Sequence, residues 1–177
     1  MRTRVWGWLP LLLALPLLSL ACGDGGEKRD LEEYFQEIEG IADDYLAVFN
    51  GLQDLYEQTV TSSATDEVKV RAFFSFSEAS ARNIRDEVDA RNRVDPPSGV
   101  ERAHLEWLAA ARVLAKVFED VVERVPDVQS SLDLQEALEE LDYESRLTEA
   151  EGRARQACSR LQEIADENEI DVSLCPS

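Results

Sequence analysis

The strongest constraint on this chain is a spacing. Leu31, Phe35, Ile38, Ala42, Tyr45, Phe49, Leu52 and Tyr56 follow one another at alternating steps of four and three residues. That rhythm lays all eight side chains on one face of an α-helix. It predicts a single long helix over about 31–61. Gly40 and Gly51 lie inside it, and each costs about 1 kcal/mol relative to alanine. The stripe keeps phase across Asn50-Gly51, so a bend is expected there and not a turn.

The same rhythm recurs downstream. After Thr61-Ser62-Ser63-Ala64-Thr65, either Ser63 or Thr65 can cap a second helix, with Asp66 and Glu67 in its favourable first turn. Val70, Phe74, Ser77, Ala81, Ile84 and Val88 form its stripe, and Asp95-Pro96-Pro97 forbids continuation. Ser98-Gly99-Val100-Glu101 has the form of a capping box. A third helix then carries Val100, His104, Trp107, Ala111, Leu114, Phe118, Val121 and Val125 before Pro126. A fourth is expected over about 131–168, striped by Leu134, Leu138, Leu141, Leu147, Ala150, Ala154, Cys158, Leu161 and Ala165. Tyr143-Glu144-Ser145 and Gly152 are its weak points, where it divides if it divides at all.

The end of the chain changes period. Glu169-Ile170-Asp171-Val172-Ser173-Leu174-Cys175 alternates polar and apolar residues, which suits an extended segment. Helix 4 runs about ten residues past Cys158, or ~15 Å of rise. An extended tail of six or seven residues spans ~20 Å. The tail can therefore fold back and bring Cys175 to Cys158 as a disulfide, the alternative being two free thiols. The expected fold is all-α: an antiparallel up-down four-helix bundle with an extended C-terminal tail stapled by that bond.

Charge is strongly one-sided, with 18 Lys and Arg against 37 Asp and Glu. Phosphates would repel such a chain, so nucleic acid is excluded as a partner. The imbalance is local. From Asp30 to Thr61 there are nine acids and no Lys or Arg, and from Ser131 to Asp171 thirteen acids face four arginines. In an up-down bundle the first and fourth helices are neighbours, so one acidic wall is expected. It reads either as a solvated face or as a docking surface for a basic envelope protein or for loosely held cations.

The first residues carry an address. Arg2 and Arg4 precede an apolar run from Trp6 to Ala21 that contains Pro10 and Pro16. At about 16 residues the run is short for a spanning helix, which needs roughly 20. Its layout is that of an export signal. Its end, Leu18-Ser19-Leu20-Ala21-Cys22, resembles the lipobox of bacterial lipoproteins, with Ser19 where leucine is commonest. The resemblance implies cleavage after Ala21, acyl chains such as palmitate on Cys22, and anchoring in a cell membrane. The other reading is an ordinary signal peptide cleaved near Ala21. The expected divisions are a signal over 1–21, a lipidated cysteine and flexible tether over 22–30, and a helical domain over 31–177. The helical body with a final cysteine pair is also similar to uncharacterised exported lipoproteins of bacteria.

Catalytic signatures are missing. There is no Gly-x-Ser-x-Gly elbow, no phosphate-binding glycine loop and no calcium loop. Met1 is the only methionine and His104 the only histidine. Glu101 and His104 form one Glu-x-x-His, but a carboxylate-bridged metal pair needs that motif twice. No catalytic residue, metal or cofactor is expected. His104 reads as a buried histidine bonded to a Tyr, a Glu or a carbonyl, or with Trp107 as part of a ligand pocket. The aromatics read mainly as core. Phe73-Phe74-Ser75-Phe76 is denser than one stripe needs, so it is either buried on two sides or an exposed patch. The expected function is non-enzymatic: a membrane-anchored envelope lipoprotein acting as an interaction or scaffold module. The alternative is a small-molecule or ion-binding module accessory to an envelope transporter or sensor.

Overall fold

The molecule, seen in a computed structural model, is described over residues 24–61, 63–125 and 128–175. All the regular elements among them are helices: α1 (Asp24–Thr59), α2 (Asp66–Arg91), α3 (Glu101–Arg124), α4 (Ser131–Glu140) and α5 (Tyr143–Glu167). The chain is all-α, as its periodicity requires. The expected signal over 1–21 and the acylation site Cys22 lie outside the described residues.

Two local expectations are corrected, the tether and the capping box. The flexible tether is helical from Asp24 onward. Arg29 and Glu33 form an i,i+4 pair there, and Leu31 is already buried. α1 then runs unbroken through Asn50-Gly51. The capping box at Ser98 does not form: α3 starts at Glu101 after Val100, with no side-chain cap. Gly99 instead takes φ 96°, a conformation open to glycine, and the Val100 N–H bonds the Pro97 carbonyl at 3.1 Å. Thr65 does cap α2, its hydroxyl accepting from the Val68 N–H.

The expected fourth helix is two helices. The break precedes Tyr143, where Asp142 adopts φ 51° and its N–H bonds the Glu139 carbonyl at 3.0 Å. Aspartate tolerates the left-handed region better than most residues. Gly152, the other weak point, stays inside α5.

α3 is the central helix. It packs against α2 on one side and α5 on the other, α1 packs against α2, and α4 touches α2 and α5. The largest fully buried side chains come from α1 (Phe35, Ile38), α3 (Leu108, Val121) and α5 (Leu161), with Val100 ahead of α3. Only the first half of α1 reaches this core. Its second half lies along α2, held by Asn83 donating to the Tyr45 carbonyl at 3.0 Å and by Phe49 stacked near Phe76.

The tail turns back through a Schellman geometry at the end of α5. The Ile170 N–H bonds the Ala165 carbonyl at 2.9 Å, the Glu169 N–H bonds the Asp166 carbonyl at 3.0 Å, and Glu169 takes φ 56°. Gln162 of α5 then brackets the tail. It donates to the Val172 carbonyl and accepts from the Leu174 N–H. On its other side the Ser173 N–H bonds the Glu39 carboxylate of α1. Ile170 and Leu174 are buried in the core, and Cys158 and Cys175 are disulfide-bonded.

This corrects the expected neighbours. α1 and α5 are not major packing partners. The tail touches both and brings Glu169 and Asp171 with it. The tail lies between the two acidic helices, bonded to Glu39 of α1 and Gln162 of α5, with Ile170 and Leu174 buried in the core.

Candidate functional site

The side chains best equipped for chemistry gather at the end of the molecule where Tyr34, Arg91 and His104 meet. α1 supplies Tyr34, α2 supplies Glu87 and Arg91, and α3 supplies His104 and Trp107. Each stands on the stripe of its helix or one position beside it, so the same periodicity that builds the core turns these polar groups inward. The Tyr34 hydroxyl and His104 Nδ1 are hydrogen-bonded at 2.8 Å. The Arg91 guanidinium lies over the Trp107 ring, 3.7 Å from its centre, and bonds Glu87 at 2.8 Å. A cation against an indole face is favourable, the more so once desolvated.

Arg91 is a costly residue to bury. Its side chain is 3% exposed, and its Nε and Nη1 have no hydrogen-bond partner among the described residues. Burial acts on the pair from both sides, raising the Glu87 pKa and lowering that of Arg91 against their mutual attraction. The guanidinium nevertheless stays charged. Burial also raises the Tyr34 pKa, which the Arg91 charge partly opposes. His104 is pushed below the ordinary histidine value, first by burial and then by the Arg91 charge. At neutral pH the cluster is therefore a neutral phenol and imidazole beside one paired cation.

A pH dependence follows. Unfolded His104 titrates near its ordinary value of about 6.5, and folded His104 titrates lower. Between the two, the unfolded chain binds the extra proton, so stability is lost as pH falls through that window. Glu87 has the opposite sign, its contribution being lost as pH rises through its raised folded value. His104→Gln leaves the Glu87 effect in place. Urea unfolding midpoints at pH 7.5 and 5.5 are expected to fall further in the natural chain than in His104→Gln. Equal falls would show that His104 is not held neutral.

Of the expected pocket residues, His104 bonds Tyr34 and Trp107 lies under Arg91. Both residues are buried, and neither lines either of two open clefts on the surface. The larger cleft, about 650 Å³ and open, lies between α2 and the end of α3, with Val70, Phe74, Val122 and Val125 along it. The smaller, about 270 Å³, runs between α3 and α5 beside the Glu106–Arg160 ion pair. Glu101 is exposed and turned away from this pairing of His104 with Tyr34. Among the described residues no three His, Cys, Asp or Glu side chains are grouped to hold a metal ion.

One feature escaped the sequence reading. Asp120 is buried on α3 and gathers Arg146 of α5 with Lys116 and Arg124 of its own helix. Burial alone would raise its pKa, but bonds from Arg146 and Lys116 outweigh it and hold the carboxyl low. An acid one place off the α3 stripe, between cations four residues to either side, was the available signal. The Phe73–Phe76 segment, read as either buried on two sides or an exposed patch, joins an aromatic chain at the far end. Tyr56 stacks with Phe76 at 5.2 Å, Phe76 meets Phe118 at 6.1 Å, and Phe73 meets Tyr143 at 6.0 Å. The dense phenylalanines of α2 are thus shared among three neighbours, with Phe74 left to the larger cleft.

The chain matches no known protein family, no curated protein and no solved structure. Function has to be read from these residues alone.

Proposed function

We propose that this protein is a membrane-anchored envelope lipoprotein, acting through non-enzymatic contacts as an interaction or scaffold module. One observation carries the reading. The groups able to do chemistry, His104, Tyr34, Arg91 and Trp107, are spent on one another inside the core, whereas most acidic side chains of α1, Glu32 and Glu39 aside, stand in solvent. What the molecule offers to others is its surface. The lipobox-like Leu18–Cys22 segment supports an acylated anchor on Cys22, and the body then faces an extracytoplasmic space.

The same proposal includes an antiparallel up-down order of α1, α2, α3 and α5, in which the C-terminal tail stands between α1 and α5. Contacts between successive helices run in opposite senses. Tyr45, Phe49 and Tyr56 of α1 meet Asn83, Phe76 and Phe73 of α2 in that order. Glu106 and Asp120 of α3 meet Arg160 and Arg146 of α5.

Mass spectrometry on protein extracted gently from its own membrane tests the reading. The denatured chain is expected to begin at Cys22 with acyl chains attached, and an unacylated chain would sink the anchor. The native mass separates the two functional readings. A protein partner supports the interaction module. A small mass lost on denaturation supports the alternative, a ligand-binding accessory of a transporter or sensor, for which the open cleft beside Phe74 is the available space.

A further inference from the structure

A surface helix ordinarily buries its apolar stripe and leaves only its polar face to solvent. Residues 45–53 of α1, Tyr-Leu-Ala-Val-Phe-Asn-Gly-Leu-Gln, carry no charge, and Leu55 and Tyr56 extend the apolar run past Asp54. Yet this half of α1 is not inside. Phe49 and Tyr56 use one face against α2. Leu46, Val48 and Leu55 remain exposed, Val48 at 51% and Leu55 at 62%. Acids bracket the stretch, Asp43 and Asp44 before it and Asp54 and Glu57 around its end. Among the described residues no salt bridge joins any of these four acids to a base, although many other acids of the molecule are paired within or between helices.

We infer that the second half of α1 is a docking surface for a basic amphipathic helix of a partner protein. Apolar side chains of the incoming helix would cover Val48, Leu52 and Leu55, and its Lys or Arg residues would reach Asp44, one turn before Val48, and Asp54, beside Leu55. That is a helix laid along an apolar surface, with charge setting the choice of partner. A second copy of this chain fits poorly. Its own α1 offers nine acids and no base from Asp30 to Thr61, so like charges would meet along the contact. This inference rests on the interaction reading and gives it a place and a partner chemistry.

The test uses the full protein in zwitterionic nanodiscs, with empty discs as the blank. The probe is a labelled 18-residue peptide of leucine and lysine, patterned with one apolar helical face. A scrambled peptide of the same composition, lacking that face, reports charge attraction alone. The patterned peptide is expected to bind at least about tenfold tighter than the scrambled one. The Val48→Asp/Leu55→Asp double variant is expected to remove that advantage. Leu132→Asp, at an equally exposed leucine of α4, is expected to keep it. Circular dichroism checks that each variant retains its helix content.

The site is overturned if both peptides bind alike, or if the double variant binds the patterned peptide as well as the natural chain does. In the second case the interaction reading survives, with its surface elsewhere. If the natural protein sediments as a dimer that the double variant dissolves, a second copy is the occupant and the basic helix is wrong. An unacylated Cys22 would remove the anchor while leaving the peptide result intact, so the two failures are distinguishable.

Discussion

Phe35→Ala is expected to destabilise the protein by about 3–5 kcal/mol, the range for emptying a fully enclosed aromatic site. Phe35 is completely buried beside Leu31 and Ile38, its ring meeting that of Tyr34 at 5.0 Å. Native stability is typically only about 5–15 kcal/mol, so this one change takes a large share of it. Leu55→Ala on the same helix is expected to shift stability by less than about 0.5 kcal/mol, as an exposed change without special contacts does. Phe49→Ala should fall between, because its ring is half-buried against α2 alone. Urea unfolding of the three variants measures the gradient. If Phe49→Ala cost as much as Phe35→Ala, the second half of α1 would have to enter a core of its own. A docking surface there would then be untenable.

That gradient marks the limit of what spacing reveals. The apolar stripe of α1 is uniform from Leu31 to Tyr56, and it correctly announces one long helix. It does not say how many neighbours the helix has at each level. Burial is complete at Phe35 and Ile38 because α2, α3 and the C-terminal tail converge there. It is partial at Tyr45, Phe49 and Leu52 because the tail has ended. Periodicity reports which face is apolar, and the partner that covers it is a tertiary fact.

The candidate site was legible to a similar depth. His104 sits in a stripe, so burial beside a Tyr, Glu or carbonyl was readable, and Tyr34 is the residue found there. Arg91 was not foreseen. An arginine near the end of a helix ordinarily reads as a solvated cation favourable to the helix dipole. Here it lies four residues after Glu87 and three after the buried Val88, which turns it inward onto Trp107. Its cost is set by groups on three helices, and no local pattern holds that information. The break at Asp142 is comparable: Tyr143-Glu144-Ser145 marked a weak point, but the left-handed turn falls one residue earlier, on an aspartate able to adopt it.

Removing the Cys158–Cys175 bond is expected to cost about 3 kcal/mol, the chain-entropy value for a loop of this length. The cysteines are 17 residues apart, with Cα atoms 5.8 Å apart, inside the range that a disulfide spans. The Cys158→Ser/Cys175→Ser variant tests it by urea unfolding, with hydrogen exchange followed along the tail. Exchange is expected to rise at Leu174, whose amide is held by Gln162, and then at Phe35 and Ile38 on α1. The order matters because the tail stands between α1 and α5. Loosening it exposes the only part of α1 that is fully buried, so the staple secures a helix to which it is not bonded. A loss below about 0.5 kcal/mol with unchanged exchange would mean that the Schellman turn and Gln162 hold the tail without the bond. The dependence also has a consequence for the cell. Disulfides persist in oxidising compartments and are rare in the cytosol. Under the envelope location proposed above, chain held in a reducing compartment should therefore behave as the double serine variant does, with α1 weakly held.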